Sequence, residues 1–141
     1  MSRLDTHHHA VKRALQKDGW QVTHDPFPIV YEGTSLSTDL GAQKARATAA
    51  QQIAIEIIAV EVKDFDSLGM MSEFEKALGQ YRLYRALLDK NEPERKLYLA
   101  VRQEVWGEFF QRPAVKVAVR ANEVHIVVFD EHQEEILQWI E

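Results

Sequence analysis

Residues 52–63 constrain the fold of this chain more than any other segment, and they read QIAIEIIAVEVK. The many β-branched side chains are typical of a strand buried within a sheet. Successive side chains of a strand without a bulge point to opposite faces, so Glu56 lies on one face. The other face carries Ile53, Ile55, Ile57, Ala59, Glu61 and Lys63. The segment therefore predicts a long buried strand that ends in two charged side chains on one face.

In front of this strand, the sequence predicts a helix and a hairpin. An apolar stripe of Val11, Ala14 and Leu15, with His8 on the same side, indicates a helix over residues 5–18. Gly19 is suited to end this helix in the left-handed conformation. Strands are predicted over residues 27–31 and 35–40 with a tight turn at 32–33, followed by a loop or short helical excursion over 43–51.

Behind the strand, a second helix is predicted to begin near Ser72, which forms a capping box with Glu75, and to end at Asn91. Its core-facing stripe is Phe74, Ala77, Leu78, Tyr81 and Leu88. Further strands are predicted over residues 96–101, 115–120, 124–129 and 135–140, with a short helix over 103–110. A strand–helix–strand crossover normally joins parallel strands, whereas the hairpins are antiparallel. The chain therefore predicts an α/β (α+β) fold with a mixed β-sheet flanked by helices.

Length and composition limit the classes of protein to consider. A chain of 141 residues fits a single domain over residues 1–141. The absence of cysteine excludes disulfides and thiolate metal sites and is compatible with a cytoplasmic protein. We expect no membrane association, because no apolar run approaches the roughly 20 residues of a membrane span. The net charge of −5 argues against a protein that coats nucleic acid, but not against a nuclease.

Asp39, Glu61 and Lys63 form the pattern of an Asp followed by Glu-x-Lys. Residues two apart on a strand lie on one face, roughly 7 Å apart. Asp39 and Glu61 are therefore predicted to bind Mg²⁺ or Mn²⁺, and Lys63 to orient a water or neutralise a phosphate. The three residues are the predicted catalytic site of a fold like that of restriction endonucleases. The alternative is an ordinary solvated Glu–Lys pair.

Three further residues are candidates for lining this site. Gln80 and Tyr84 lie one turn apart on the second helix and resemble the Q-x-x-x-Y element of RecB-type nucleases. The alternative for Tyr84 is an ordinary core aromatic. His8, or Asp5 one turn earlier, is a candidate ligand or phosphate contact from the first helix, and the alternative for His8 is a boundary histidine. Consecutive histidines on a helix cannot all face one site, so the run at residues 7–9 predicts no metal cluster.

The sequence also resembles the XisH family, the fdxN element excision controlling factors of cyanobacteria. The matching blocks are His8 with residues 11–15 (VKRAL), 17–20 (KDGW), 23–26 (THDP), 39–42 (DLGA), 58–63 (IAVEVK), 77–81 (ALGQY), 92–101 (EPERKLYLAV) and 128–130 (VFD). Residues 49–57 depart from the family pattern by being longer and more apolar, which leaves the start of the long strand open. The resemblance implies a restriction-endonuclease-like PD-(D/E)XK fold. It also implies a role in excising a DNA element by recombination during heterocyst differentiation, with DNA and a small XisI-type companion protein as partners.

Two classes of function follow. The first is a metal-dependent nuclease acting through Asp39, Glu61 and Lys63. The second is a non-catalytic accessory protein that binds the small companion and modulates recombination or a defence or toxin-like system, which the acidic net charge favours. A homodimer through the apolar C-terminal hairpin is a further possibility.

Overall fold

The computed structural model describes residues 3–65 and 69–141 of the chain. The elements in chain order are α1 (Arg3–Lys17), β1 (Gln21–His24), β2 (Phe27–Tyr31), β3 (Thr34–Thr38), β4 (Leu40–Ala47), β5 (Ile53–Val62), α2 (Met70–Asn91), β6 (Lys96–Arg102), α3 (Gln103–Gly107), a short 3₁₀ helix (Phe109–Gln111), α4 (Pro113–Ala121), β7 (Ile126–Asp130) and β8 (Glu135–Ile140). Within the described residues, no helix has the length and apolar character needed to cross a membrane.

Among the described residues, six strands form one sheet in the order β1-β4-β5-β6-β7-β8, and β2 pairs with β3 in a separate hairpin. β4 runs antiparallel to β5, whereas β6 runs parallel to both β5 and β7. Helix α2 makes the crossover between the parallel strands β5 and β6. The predicted mixed sheet flanked by helices is therefore confirmed.

The sheet separates two apolar layers. On one face α1 packs Val11 and Leu15 against Ile58 and Val60 of β5. On the other face Ala59 packs with residues of α2 and of the β2–β3 hairpin. Consecutive residues of β5 thus enter opposite layers, as the predicted period of two requires.

The backbone geometry confirms two predicted turns. Gly19 follows α1 with a φ of +93°, and its N–H donates to the carbonyl of Gln16 at 3.1 Å. Glu32 and Gly33 have φ values of +37° and +88° between β2 and β3. Positive φ at both central residues is the property of a two-residue hairpin turn of type I′.

Two segments in front of β5 differ from the prediction. A loop or short helical excursion is predicted over residues 43–51. This prediction is wrong for residues 43–47, because β4 continues to Ala47 and pairs with β5. The predicted strand over 35–40 is divided, because β3 ends at Thr38 and Asp39 separates it from β4. The alanines of β4 weaken its local strand signal, and pairing with β5 overrides that weak preference.

The predicted strand over residues 115–120 is also wrong, because the segment lies in α4. Pro113 stands in the first turn of this helix, where its fixed φ and missing N–H are tolerated. Val115 is buried while Val117 is 68 % exposed. The valines favour a strand by propensity. The helix start at Pro113 and the burial of Val115 on one side of the segment favour the helix α4 instead.

Helix α2 begins at Met70, with Gly69 as its N-cap. Ser72 therefore lies inside the first turn, and the predicted capping box with Glu75 is wrong. The core-facing stripe is confirmed apart from Leu78, which is partly buried, and it gains Tyr84. The long strand begins at Ile53, which answers the question that the sequence left open.

Gly41 of β4 is expected to tolerate no side chain. A Cβ built on Gly41 would lie 2.7 Å from Cδ2 of Phe27, closer than side-chain carbons approach one another. Phe27 is a buried residue of the hairpin, so it has little room to move. We expect Gly41→Ala to lower the free energy of unfolding by about 1–3 kcal/mol, as overpacking in a core does. Urea denaturation would measure the loss, with Gly79→Ala, where a Cβ meets open space, as the control.

Candidate active site

Asp39 lies beside Glu61 because β4 and β5 pair with Leu40 opposite Val60. The backbone N–H of Asp39 donates to Oε1 of Glu61 at 3.2 Å. In return, Oδ2 of Asp39 accepts a hydrogen bond of 2.7 Å from the backbone N–H of Val62. Each carboxylate is thus held by the backbone of the other strand, and the structure brings together the two residues that the sequence proposed as metal ligands.

The carboxyl group of Glu61 lies in an environment that disfavours its charge. Its side chain is only 14 % exposed. Burial and the neighbouring charge of Asp39 raise the pKa of Glu61 to about 8, although Lys63 acts in the opposite direction. A partly buried carboxylate pair that lacks full compensation by positive charge is an arrangement that a divalent cation stabilises.

Lys63 follows β5 on the same face as Glu61. Its Nζ lies 3.7 Å from Oε2 of Glu61, and its side chain is 26 % exposed. This distance is longer than a hydrogen bond, so within residues 3–65 and 69–141 Glu61 does not occupy the donors of the ammonium group. The alternative of a solvated Glu–Lys pair does not describe Glu61, whose side chain is mostly buried.

Helix α2 lies over the same face of the sheet with Tyr84 and Gln80. Tyr84 is 8 % exposed, and its pKa is raised by burial and by the charges of Glu61 and Asp39. Gln80 lies one turn earlier, and its Oε1 is buried without a hydrogen-bond partner among the described residues. A buried acceptor of this kind needs a donor or a cation, which the described residues do not supply. Tyr84 is thus both a core aromatic and a neighbour of the two carboxylates.

His8 lies at the margin of the site. Its Nδ1 is 3.8 Å from Oδ1 of Asp39, and its Nε2 is 2.7 Å from Oδ1 of Asp25. Asp25 also accepts a 2.8 Å hydrogen bond from Nζ of Lys12. Burial acts to raise the pKa of Asp25, but the hydrogen bonds from Lys12 and His8 lower it overall. Asp25 was missed as a site neighbour, although its place before a proline marked a turn. The side chain of Asp5 lies outside the described residues.

His7 continues the buried stripe of α1, whereas the sequence pattern put His8 on that side. His7 is 5 % exposed, and its Nδ1 contacts Oδ1 of Asp64. Its Nε2 lies 2.8 Å from Oε2 of Glu131, and Nη2 of Arg102 donates to the carbonyl of Asp64 at 3.0 Å. This buried network holds the residue that follows Lys63. The sequence contained a signal for the burial of His7, because residue 7 lies four positions before Val11 and therefore on the same face of the helix.

The residues of the site fit a hard cation of the magnesium type. The oxygens of Asp39 and Glu61 are the ligands that Mg²⁺ prefers, and Mg²⁺ commonly uses one or two carboxylates and keeps several waters. Among residues 3–65 and 69–141, no group of three His, Asp or Glu is placed to hold a metal ion. On α2, Oε1 of Gln80 is buried without a partner among the described residues, one turn from Tyr84. The histidine run is divided between two networks, and His9 is exposed.

The sequence profile of the XisH family, described as XisH protein, matches residues 1–137. The chain belongs to the XisH family. It is similar to the crystal structure of an XisH family protein from Nostoc punctiforme, with 41 % identity over 97 % of this chain and 100 % of that chain and a TM-score of 0.85. It is also similar to a fdxN element excision controlling factor protein from Anabaena variabilis, with 42 % identity over 97 % of this chain and 99 % of that chain and a TM-score of 0.84. No curated protein matches the chain.

Proposed function

We propose that this XisH family chain is a metal-dependent nuclease-type domain of the restriction-endonuclease-like PD-(D/E)XK class that acts in excision of a DNA element. The observation that carries the proposal is the pairing of Asp39 with Glu61 across two strands, with Lys63 on the same face. Asp39 immediately before β4 and the Glu-x-Lys sequence at the end of β5 provide two carboxylates and an ammonium group at one sheet surface. The excision role rests on the relative from Anabaena variabilis, which is named for control of fdxN element excision.

The residues of the site divide the work of phosphodiester hydrolysis. When bound, Mg²⁺ or Mn²⁺ supplies Lewis-acid activation of water and of the phosphate. Asp39 and Glu61 hold the ion, and Lys63 orients the attacking water and neutralises charge on the phosphate oxygens. Attack by the oxygen of a water forms a new P–O bond and breaks the bond to the leaving sugar oxygen. The water gives up one proton to solvent, and the leaving oxygen takes up one proton from solvent. Gln80 and Tyr84 line the side of the site that α2 covers.

Lys63→Ala is expected to lower Mg²⁺-dependent cleavage of DNA by roughly 10²–10³-fold, because it removes a positive group from the developing phosphate charge. Its ion pair with Glu61 is 3.7 Å long and partly exposed, so the fold is expected to remain intact. Cleavage of supercoiled, linear and single-stranded DNA and of RNA would be measured in Mg²⁺ and in Mn²⁺. Lys90→Ala, an exposed lysine on α2, is the matched control. The absence of cleavage of every substrate by the unaltered protein would overturn the nuclease proposal.

A second candidate function is that of an accessory protein that binds a small companion of the XisI type. The observation in its favour is an arm formed by residues 44–47 of β4 and 53–57 of β5. In the described part of the chain, β1 pairs with β4 only as far as Gln43, and β6 pairs with β5 only from Ile58. On this arm Ile53 is 76 % exposed and Ile55 is 55 % exposed. Exposed isoleucines on a ribbon with open edges suit a protein partner.

Two measurements separate the candidates. Calorimetry with Mg²⁺ would give no heat of binding for a purely accessory protein, and co-purification with the small companion would be lost in Ile53→Ser/Ile55→Ser. A homodimer through the C-terminal hairpin is a third arrangement. Residues 127–129 lie in the internal strand β7, so β8 is the edge that such a dimer would use. Light scattering that detects monomer alone would exclude it.

A further inference from the structure

A cavity of about 800 Å³ lies among α2, the α3 segment, α4 and the end of β8. Its apolar wall includes Trp106, Phe110, Val119 and Ile140. On the α4 side, Val115 is buried in the core, and Ala118 and Val119 are partly buried against it. The volume of the cavity is within the range of roughly 300–1,000 Å³ that small-molecule sites occupy. The catalytic candidates Asp39, Glu61 and Lys63 are not among its lining residues.

Positive charge is concentrated on the rim of this cavity. Lys116 and Arg120 lie one turn apart on α4, and both line the cavity. Neither makes an ion pair with a carboxylate among the described residues, and like charges at this spacing destabilise a helix. Arg85 lines the cavity from α2, with its guanidinium held by the carbonyls of Asn122 and Glu123. The side chains of Lys116 and Arg120 on the rim thus repel each other, and a bound anionic ligand would offset this repulsion.

The carboxylates at the cavity do not cancel this charge. Glu123 is exposed to solvent at the end of α4. Glu141 is engaged elsewhere, because it accepts a 3.0 Å hydrogen bond from Nζ of Lys96 and contacts the hydroxyl of Tyr98. The cavity thus leaves Lys116 and Arg120 uncompensated in a chain whose net charge is −5.

His125 adds a neutral polar group to the wall. Its Nδ1 is buried and has no hydrogen-bond partner among the residues that the structure describes. Burial lowers the pKa of His125, so the ring is neutral near pH 7 and is able to donate or accept one hydrogen bond there. An apolar wall with a few converging polar groups is the usual composition of a ligand site.

We infer that this cavity binds a small organic anion with a flat apolar body, such as a nucleoside monophosphate or an aromatic carboxylate. Its anionic group is held by Lys116 and Arg120 on the rim, and its ring lies against Trp106 and Phe110. His125 meets a polar atom of the ligand. This inference is independent of the nuclease proposal, because it uses none of the residues that would hold the metal.

The test uses the fluorescent probe 8-anilino-1-naphthalenesulfonate, an aromatic anion, with the full chain. We expect saturable binding of one probe per chain, with energy transfer from tryptophan. The variant Lys116→Glu/Arg120→Glu is expected to weaken binding at least about tenfold, because two attractive charges become repulsive. The variant Lys76→Glu/Lys90→Glu makes the same change in net charge on exposed lysines of α2 and is expected to bind within about twofold of the original protein.

A second variant and three competitors complete the test. Val119→Trp fills the cavity and is expected to abolish probe binding in a protein whose circular dichroism is unchanged. Displacement by adenosine monophosphate alone identifies a phosphate ligand, and displacement by 2-naphthoate alone identifies a carboxylate. Equal displacement by uncharged adenosine, displacement by neither anion, or full binding to Val119→Trp would each overturn the inference.

Discussion

Replacing Glu61 with glutamine is expected to stabilise the metal-free protein at pH 8 and to abolish its Mg²⁺-dependent cleavage of DNA. Both effects come from the same cause, because the carboxyl group is placed where its charge is unfavourable without a cation. Burial and the charge of Asp39 raise the pKa of Glu61 from 4.5 to about 8. Glutamine keeps the shape and an acceptor oxygen but carries no charge.

The direction of the pH dependence follows from proton binding. A carboxyl group whose pKa is higher in the folded protein binds more protons when folded, so unfolding becomes easier as the pH rises. For Glu61 this decline runs between pH 4.5, its ordinary pKa, and about pH 8, its folded value. The free energy of unfolding lost over this range is on the order of 3–5 kcal/mol, because a tenfold change in proton affinity corresponds to about 1.4 kcal/mol. Glu61→Gln is expected to remove most of this decline.

Urea denaturation in chelator at pH 5, 6.5 and 8 measures the first effect. Glu75→Gln, which removes an exposed carboxylate from α2, is the matched control and is expected to keep the decline. Adding Mg²⁺ is expected to stabilise the unaltered protein at pH 8 and to leave Glu61→Gln unchanged, because a ligand stabilises only the state that binds it. Parallel pH dependence in the unaltered protein and Glu61→Gln would contradict the role given to this carboxyl group.

Replacing His7 with alanine is expected to cost more stability than replacing either neighbouring histidine. His7 is buried between carboxylates of Asp64 and Glu131, which accept hydrogen bonds but cannot donate them. Removing the ring leaves both carboxylates partly buried. Among the described residues, Glu131 then keeps contacts with Arg102 at 3.6 Å and with His132 at 3.8 Å, whereas Arg102 reaches the backbone carbonyl of Asp64 and not its carboxylate. Breaking such a network by removing one partner typically costs about 3–5 kcal/mol.

Guanidinium denaturation of His7→Ala and His9→Ala measures the difference. His9 is exposed on the same helix, so its replacement is expected to change stability by less than about 0.5 kcal/mol. His7→Gln retains one donor and is expected to lie between these two. Equal effects of His7→Ala and His9→Ala would show that the network contributes nothing to stability. Because Asp64 follows Lys63, His7→Ala is also expected to reduce cleavage.

Local periodicity accounted for much of the fold and part of the candidate site. The alternation in residues 52–63 placed Glu61 and Lys63 on one face, since side-chain direction in a strand depends only on the backbone of that strand. Sequence patterns gave the wrong secondary structure for α4, where valines favour a strand, and for β4, where alanines weaken the strand signal. The strand β4 depends on its pairing with β5, and α4 depends on the packing of Val115 in the core as well as on the local helix start at Pro113.

Some features of the site were beyond the reach of sequence patterns. The contact of His8 with Asp25 and Asp39 required α1, the turn after β1 and the start of β4 to meet. The burial of His7 required the β7–β8 turn to bring Glu131 to α1, across 124 residues of chain. The sequence gives the charge and the hydrogen-bonding groups of a side chain, but its partner depends on which distant segment the tertiary structure places beside it.

By itself the sequence determined the long strand, the mixed sheet and the face shared by Glu61 and Lys63, because these follow from local periodicity and from the rule for parallel crossovers. Only the tertiary structure decided that Asp39 lies against Glu61, and that their shared burial raises the pKa of Glu61. The physical reason is that desolvation and charge repulsion depend on the distances between atoms of separate strands. The register between β4 and β5 sets these distances, and no single segment of the sequence encodes that register.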